Sequence, residues 1–246
     1  ATELALPAAN PAAVATLAPP LRSWLAGPRG RAFVHASGDF KIATGPLTPD
    51  HVVYGRAFPF VGQPDAASLT AFQERFGYAP IILQVPGKGV FTAEMSLKSA
   101  RLAMESARNA AQVLQLTGAF GGPRFLDDRQ RGFIENWEVE AYRRNLIGSD
   151  KSGGRLVGRV ALITGGAQGF GLGIARGLLA EGATVGLADI NLAGASAAAR
   201  QLEGEFGTGR AFAVAVNVAE EASVAGMTAD LLKECGGFDL LIANAG

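Results

Sequence analysis

From residue 159 onward, short runs of apolar and β-branched residues alternate with longer Ala-, Leu- and Gly-rich stretches. The pattern predicts strands over 159–163, 184–188, 211–216 and 239–242, separated by helices over 169–180, 192–206 and 220–234. Parallel strands need crossover connections, so strict alternation of strand and helix predicts a parallel sheet covered on both faces.

The upstream pattern is less regular. Runs over 31–35 and 79–85 read as short strands, the second stopped by Pro86 and Gly87. Leu97, Ala100, Met104, Ala107, Ala111 and Leu114 fall at helical spacing and predict a helix from about 96 to 116, with Gly118 as its stop. A further helix over about 128–146 would bury Phe133, Trp137 and Ala141 and pair Glu140 with Arg144. Near the start, Asn10 reads as a helix N-cap with Pro11 in the first helical position. All 12 prolines and both tryptophans precede residue 149. The polar stretch 148–154 has the composition of a flexible linker. These shifts predict a mixed α/β region over 1–148, a linker over 149–155, and the alternating unit over 156–246.

Composition narrows the function classes. The chain is 48% hydrophobic and 18% charged, which suits a packed core and not a disordered chain. Lys+Arg 22 balances Asp+Glu 22, so the basic excess usual in nucleic-acid and membrane-surface binders is missing. One cysteine allows no internal disulfide, and two histidines with it do not make a His/Cys zinc site. Prolines interrupt the Ala-rich N-terminal stretch, which also lacks the basic start of a signal peptide. No apolar run reaches the ~20 residues that span a bilayer. The expectation is a soluble cytoplasmic protein with no nucleic-acid, membrane or metal partner.

The chemistry lies in the turn after the first strand of the alternating unit, Thr164-Gly-Gly-Ala-Gln-Gly-Phe-Gly171. Gly165 would let the chain leave the strand tightly. Gly169, without a Cβ, would let a pyrophosphate approach the backbone, and Gly171 would allow close helix–strand packing. The helix that follows would point N–H groups and its positive dipole end at the phosphates. Asp189 ends the second strand, about 20 positions on, where a carboxylate can accept from a ribose 2′-hydroxyl and repel a 2′-phosphate. Gln168 is uncharged where a phosphate-bearing ribose would favour a base. Together these point to NAD over NADP. Asp189 can also serve as an N-cap for the next helix, and the two roles are compatible.

These residues resemble the short-chain dehydrogenase/reductase family over 156–246. The likeness rests on Thr-Gly-x-x-x-Gly-x-Gly at 164–171, Asp189, Asn217-Val218 and Asn244-Ala245-Gly246. It implies the N-terminal half of a doubly wound Rossmann sheet with NAD as cofactor. The implied contact set adds Phe170 and Ile190 to Gly165, Gln168, Gly169, Gly171 and Asp189. Asn217, where the family usually has Asp, would lie at the adenine with Val218. Asn244 would brace the sheet centre while Ala245 and Gly246 border the ribose. The family's chemistry uses a Ser and a Tyr-x-x-x-Lys pair downstream of Asn-Ala-Gly. Tyr54, Tyr78 and Tyr142 all lie upstream, and none has Lys four positions later, so no catalytic residue is assigned.

Residues 10–148 resemble the middle of bifunctional proteins that join a class II aldolase/adducin-type domain to a short-chain dehydrogenase. The matching stretches are 45–53, 85–91 and 134–137. Where that family places a metal-ligand His this chain has Pro86, so the region is either a degenerate copy or only architecturally alike. His51 reads as a loop or capping residue, His35 has no supporting partner, and Lys88 reads as a solvated turn lysine. Glu135, Glu138 and Glu140 read as a solvated helix face, and Cys235 as inert. The chain then reads as two incomplete units, with marginal stability expected from an unpaired last strand. Its intact parent would move hydride between NAD and a small alcohol or carbonyl compound, with a homo-oligomer possible. The alternatives are a non-catalytic dinucleotide-binding sensor or docking module, and an adducin-like structural region.

Overall fold

The computed structural model describes residues 4–28, 30–136 and 154–245. The chain opens with α1 (Pro11–Trp24), where the Asn10 side chain accepts from the backbone N–H groups of Ala12 and Ala13. There follow β1 (Phe33–Ser37), α2 (Pro49–Gly55), β2 (Phe60–Val61), α3 (Ala66–Phe76), β3 (Ile82–Val85), β4 (Gly89–Glu94), α4 (Leu97–Thr117) and α5 (Asp128–Asn136). The strands form a mixed sheet in the order β1-β4-β3-β2, antiparallel except for the β2–β3 pair.

Several upstream expectations shift. The 79–85 run yields a strand only from Ile82, and the turn after it closes a hairpin onto the almost wholly buried β4. Gly89, at φ +151°, sits where a Cβ would meet the Ser37 carbonyl oxygen at 2.5 Å. Gly118 caps the C-terminus of α4, as expected, but in a right-handed rather than a left-handed conformation. It begins one tight 3₁₀ turn over Gly118–Phe120, and left-handed Gly121 ends the run. Phe133 is 67% exposed, contrary to the expected burial, because α5 turns Ile134 instead toward Val52 and Val53. Trp137, Ala141, Glu140, Arg144 and most of the predicted linker lie outside the described residues.

The alternating unit follows its pattern closely. It comprises β5 (Val160–Thr164), α6 (Gly169–Ala180), β6 (Thr184–Asp189), α7 (Leu192–Phe206), β7 (Ala211–Ala215), α8 (Glu221–Cys235) and β8 (Leu240–Ile242). All its strand pairs are parallel, in the order β7-β6-β5-β8. The order reverses between β5 and β8, the switch point at which open α/β sheets bind ligands.

One face of this sheet is covered by Ala175 and Leu179 of α6 and by Ala195, Ala199 and Leu202 of α7. On the other face, Met227, Leu231 and Cys235 of α8 share a core with Phe33 of β1 and with Leu97 and Ala100 of α4. A buried ion pair crosses the same boundary. Arg22 donates to the Asp239 carboxylate at 2.9 Å, with side chains 3% and 8% exposed. The same carboxylate oxygen accepts from the Val160 N–H at 2.8 Å. No helix among the described residues is long and apolar enough to cross a membrane.

Candidate functional site: a glycine-rich turn at the sheet switch point

The glycine-rich turn joins β5 to α6 at the C-terminal edge of the parallel sheet. Gly165 has φ +65°, in the left-handed region, and a Cβ there would lie 3.0 Å from the Asn244 side chain and 3.2 Å from the Ala245 Cα. Gly169 is also left-handed, at φ +57°, but nothing lies within 4 Å of the place its Cβ would occupy. Gly171 is the opposite case. A Cβ on it would run into the Gly165 carbonyl oxygen, so the helix can approach the strand only because the residue is glycine. One glycine thus seats the helix and another leaves an open approach to the backbone. The N-cap of α6 is Gln168, whose side chain accepts nothing from the helix's first turn. That leaves the positive end of a helix of 12 residues facing the opening.

Asp189 stands at the end of β6. One carboxylate oxygen accepts from the Ala167 N–H in the glycine turn at 3.0 Å, and the other from the Asn191 N–H at 3.0 Å. The expected capping role belongs to Asn191, whose side chain accepts from the Gly194 N–H. Each Asp189 oxygen keeps a further lone pair, and among the described residues no Lys or Arg pairs with the group.

Asn244 does brace the sheet centre. Its side-chain amide donates to the carbonyl oxygens of Thr164 at 3.0 Å and Gly165 at 3.2 Å. The Thr164 hydroxyl accepts from the backbone N–H groups of Asn244 and Ala245, at 3.0 and 3.1 Å. This fastening role of Thr164 went unassigned in the sequence, although a lone hydroxyl closing the run Val-Ala-Leu-Ile-Thr was a visible signal.

Asn217 is turned into its own loop. Its amide nitrogen donates to Glu220 at 2.8 Å, and its side-chain oxygen accepts from the Ala219 N–H at 3.2 Å. The loop is tied to the cleft through the backbone, since the Val216 N–H donates to the Asp189 carbonyl at 3.0 Å. Phe170 is 89% exposed and Ile190 74% exposed, and Val218 is exposed as well, so three of the expected cofactor neighbours present apolar surface to solvent. Leu192, not singled out in the sequence, is exposed two positions beyond Ile190. Gly246 lies outside the described residues.

The other sequence candidates are placed elsewhere. Among the described residues, no group of three or more His, Cys, Asp or Glu could hold a metal ion. Cys235 is buried, and burial pushes its thiol up to about 12, so it carries no thiolate at neutral pH. Among the described residues Lys88 reaches the Gln63 side chain, at 3.1 Å. His51 is buried rather than a surface loop residue, although Thr48 does cap its helix. His35 lies against the Glu234 carbonyl at 3.2 Å.

Similarity to known proteins agrees with this geometry. The family model described as short chain dehydrogenase matches residues 159–246. The uncharacterized oxidoreductase YuxG of Bacillus subtilis is 32% identical over 171 residues, covering 70% of this chain and 24% of that protein. Sorbitol dehydrogenase of Cereibacter sphaeroides is 44% identical over 91 residues, covering 37% of this chain and 34% of that protein. D-threitol dehydrogenase of Mycolicibacterium smegmatis is 42% identical over 92 residues, covering 37% and 35%. The chain therefore spans between a quarter and about a third of the length of these relatives. By motif, strand order and this match, residues 159–246 are similar to the short-chain dehydrogenase/reductase family.

Proposed function

We propose that residues 159–246 are the NAD-binding part of an oxidoreductase that interconverts a small alcohol and its carbonyl compound. The family binds a nicotinamide dinucleotide, which when bound supplies or accepts the hydride. The residues of this cleft fit such a group, because the space at Gly169 is where a Cβ would otherwise intrude. The observation that carries the choice of NAD is Asp189, held by two backbone N–H groups beside the glycine turn. A carboxylate fixed there accepts from a ribose hydroxyl and opposes a 2′-phosphate. A polyol-like substrate is supported by the sorbitol and D-threitol dehydrogenases among the relatives.

A larger parent is supported by the length of the YuxG alignment, while the bifunctional, aldolase-like reading of the upstream region rests on the sequence resemblance alone. The 171 aligned residues extend well outside 159–246 and so take in part of the N-terminal region. In this reading the proton-transfer residues are supplied outside residues 1–246, since no tyrosine here has a lysine four positions on.

The test is a fluorescence titration of NADH and NADPH against the chain and its Asp189→Asn variant, which keeps an acceptor for Ala167. NADH should bind the unaltered chain more tightly than NADPH. The substitution should narrow that preference by about tenfold, the worth of one charge-assisted hydrogen bond. An unchanged preference would refute the ribose assignment.

A further inference from the structure

A second cavity, of about 260 Å³, lies between α2 and α4 in the N-terminal region. It shares no lining residue with the dinucleotide cleft. At its buried end is His51, only 3% exposed. The His51 Nδ1 accepts from the Leu47 N–H over a long 3.4 Å contact. An imidazole that accepts at Nδ1 is neutral and carries its hydrogen on Nε2. Burial reinforces this by pushing the ring down to about 4. The Nε2–H has no hydrogen-bond partner among the described residues. That nitrogen is not among the fully buried atoms left without a partner, so it keeps some exposure, and the cavity that His51 lines is where an acceptor can enter.

The mouth has the opposite character. Asp50 and Glu105 are exposed there, and their carboxylates accept but do not donate. Glu105 also meets Arg108, but at 3.5 Å, which leaves it further acceptor capacity. Half-buried Tyr54 and Ser106 and exposed Asn109 also line the cavity, and their hydroxyls and amide both donate and accept. Leu102 and Val113 supply an apolar wall, and among the described residues no Lys or Arg lines the space.

We propose that this cavity binds a small uncharged polyhydroxylated molecule, a sugar or polyol, at a site separate from the dinucleotide cleft. The guest must accept from an N–H at the buried end and donate to two carboxylates at the mouth, and hydroxyl groups do both. A carboxylate or phosphate would face two carboxylates, of which only Glu105 meets a cation, Arg108 at 3.5 Å. An ammonium has no lone pair for the His51 N–H. The volume lies below the roughly 300–1,000 Å³ of drug-sized pockets, so the guest is small. The inference does not depend on what the dinucleotide cleft binds.

The test is saturation-transfer NMR on the full chain with sorbitol, gluconate and cadaverine as neutral, anionic and cationic probes. Sorbitol should receive transfer, and its affinity should fall about tenfold in both His51→Leu and Asn109→Leu, as expected for one lost hydrogen bond. Asn109 is exposed on α4, so its variant decides the matter if the His51 variant does not fold. Asp189→Asn should leave sorbitol binding unchanged, which separates this cavity from the dinucleotide cleft. Three results would overturn the proposal: no transfer to sorbitol, an unchanged affinity in Asn109→Leu, or tighter binding of gluconate or cadaverine.

Discussion

The two glycines of the turn carry separable burdens, and substitution can tell them apart. Gly171→Ala places a methyl group against the Gly165 carbonyl, so it should destabilise the fold by about 1–3 kcal/mol, the usual cost of overpacking. Gly169→Ala meets open space and should cost only about 1 kcal/mol, for holding a non-glycine residue in the left-handed region. It should nonetheless weaken dinucleotide binding more than Gly171→Ala does at matched folded fraction. Urea melts and NADH titrations of both variants check this. Thr164→Val leaves two backbone N–H groups without their acceptor and should cost about 1–3 kcal/mol. His51 makes a pH prediction. Its folded value is about 4 and its unfolded value about 6.5, so between them the unfolded chain binds the extra proton. Stability is therefore full above about pH 6.5 and falls as pH drops toward 4, by about 3 kcal/mol. His35, lowered chiefly by burial, acts in the same direction. Denaturation midpoints measured from pH 7 to 4 should slope less in His51→Gln.

At the scale of elements, legibility follows the regularity of the pattern. Every strand and helix after residue 159 lies within a residue or two of its expected place, because each apolar run ends at a glycine, an acidic residue or an asparagine. The upstream region was legible only in parts. Its long α4 announced itself by spacing, and Asn10 by its cap. Helix α3 was missed although Asp65 and Ser68 form a reciprocal capping box and Leu69 and Phe72 are its buried face. Strand β4 was missed for a physical reason: it is buried almost throughout and so lacks the polar alternation that marks a half-exposed strand. In the cleft, the glycines, Asp189 and Asn244 were readable because backbone geometry demands them. The inward turn of Asn217 was not, because it depends on Glu220 and Ala219 in the following loop.

For the whole molecule, the core shared by Phe33, Leu97, Met227 and Leu231 predicts one cooperative unfolding transition for the two sheets. Removing the Arg22 guanidinium would leave the Asp239 carboxylate buried beside Val160. Arg22→Met should cost about 3 kcal/mol, at the low end for breaking a buried pair, since Arg31 and Arg159 each approach Asp239 at 3.7 Å. Tryptophan fluorescence and far-UV circular dichroism should shift together in this variant, and separate midpoints would contradict a common core. The brace that Asn244 gives the glycine turn joins residues 80 positions apart, and so has a consequence in time. At ribosomal speeds of ~5–20 residues per second, the nascent chain carries its glycine motif for roughly 4–16 s before the residue that fastens it has been made. Over that interval a dinucleotide would meet the motif without its cradle.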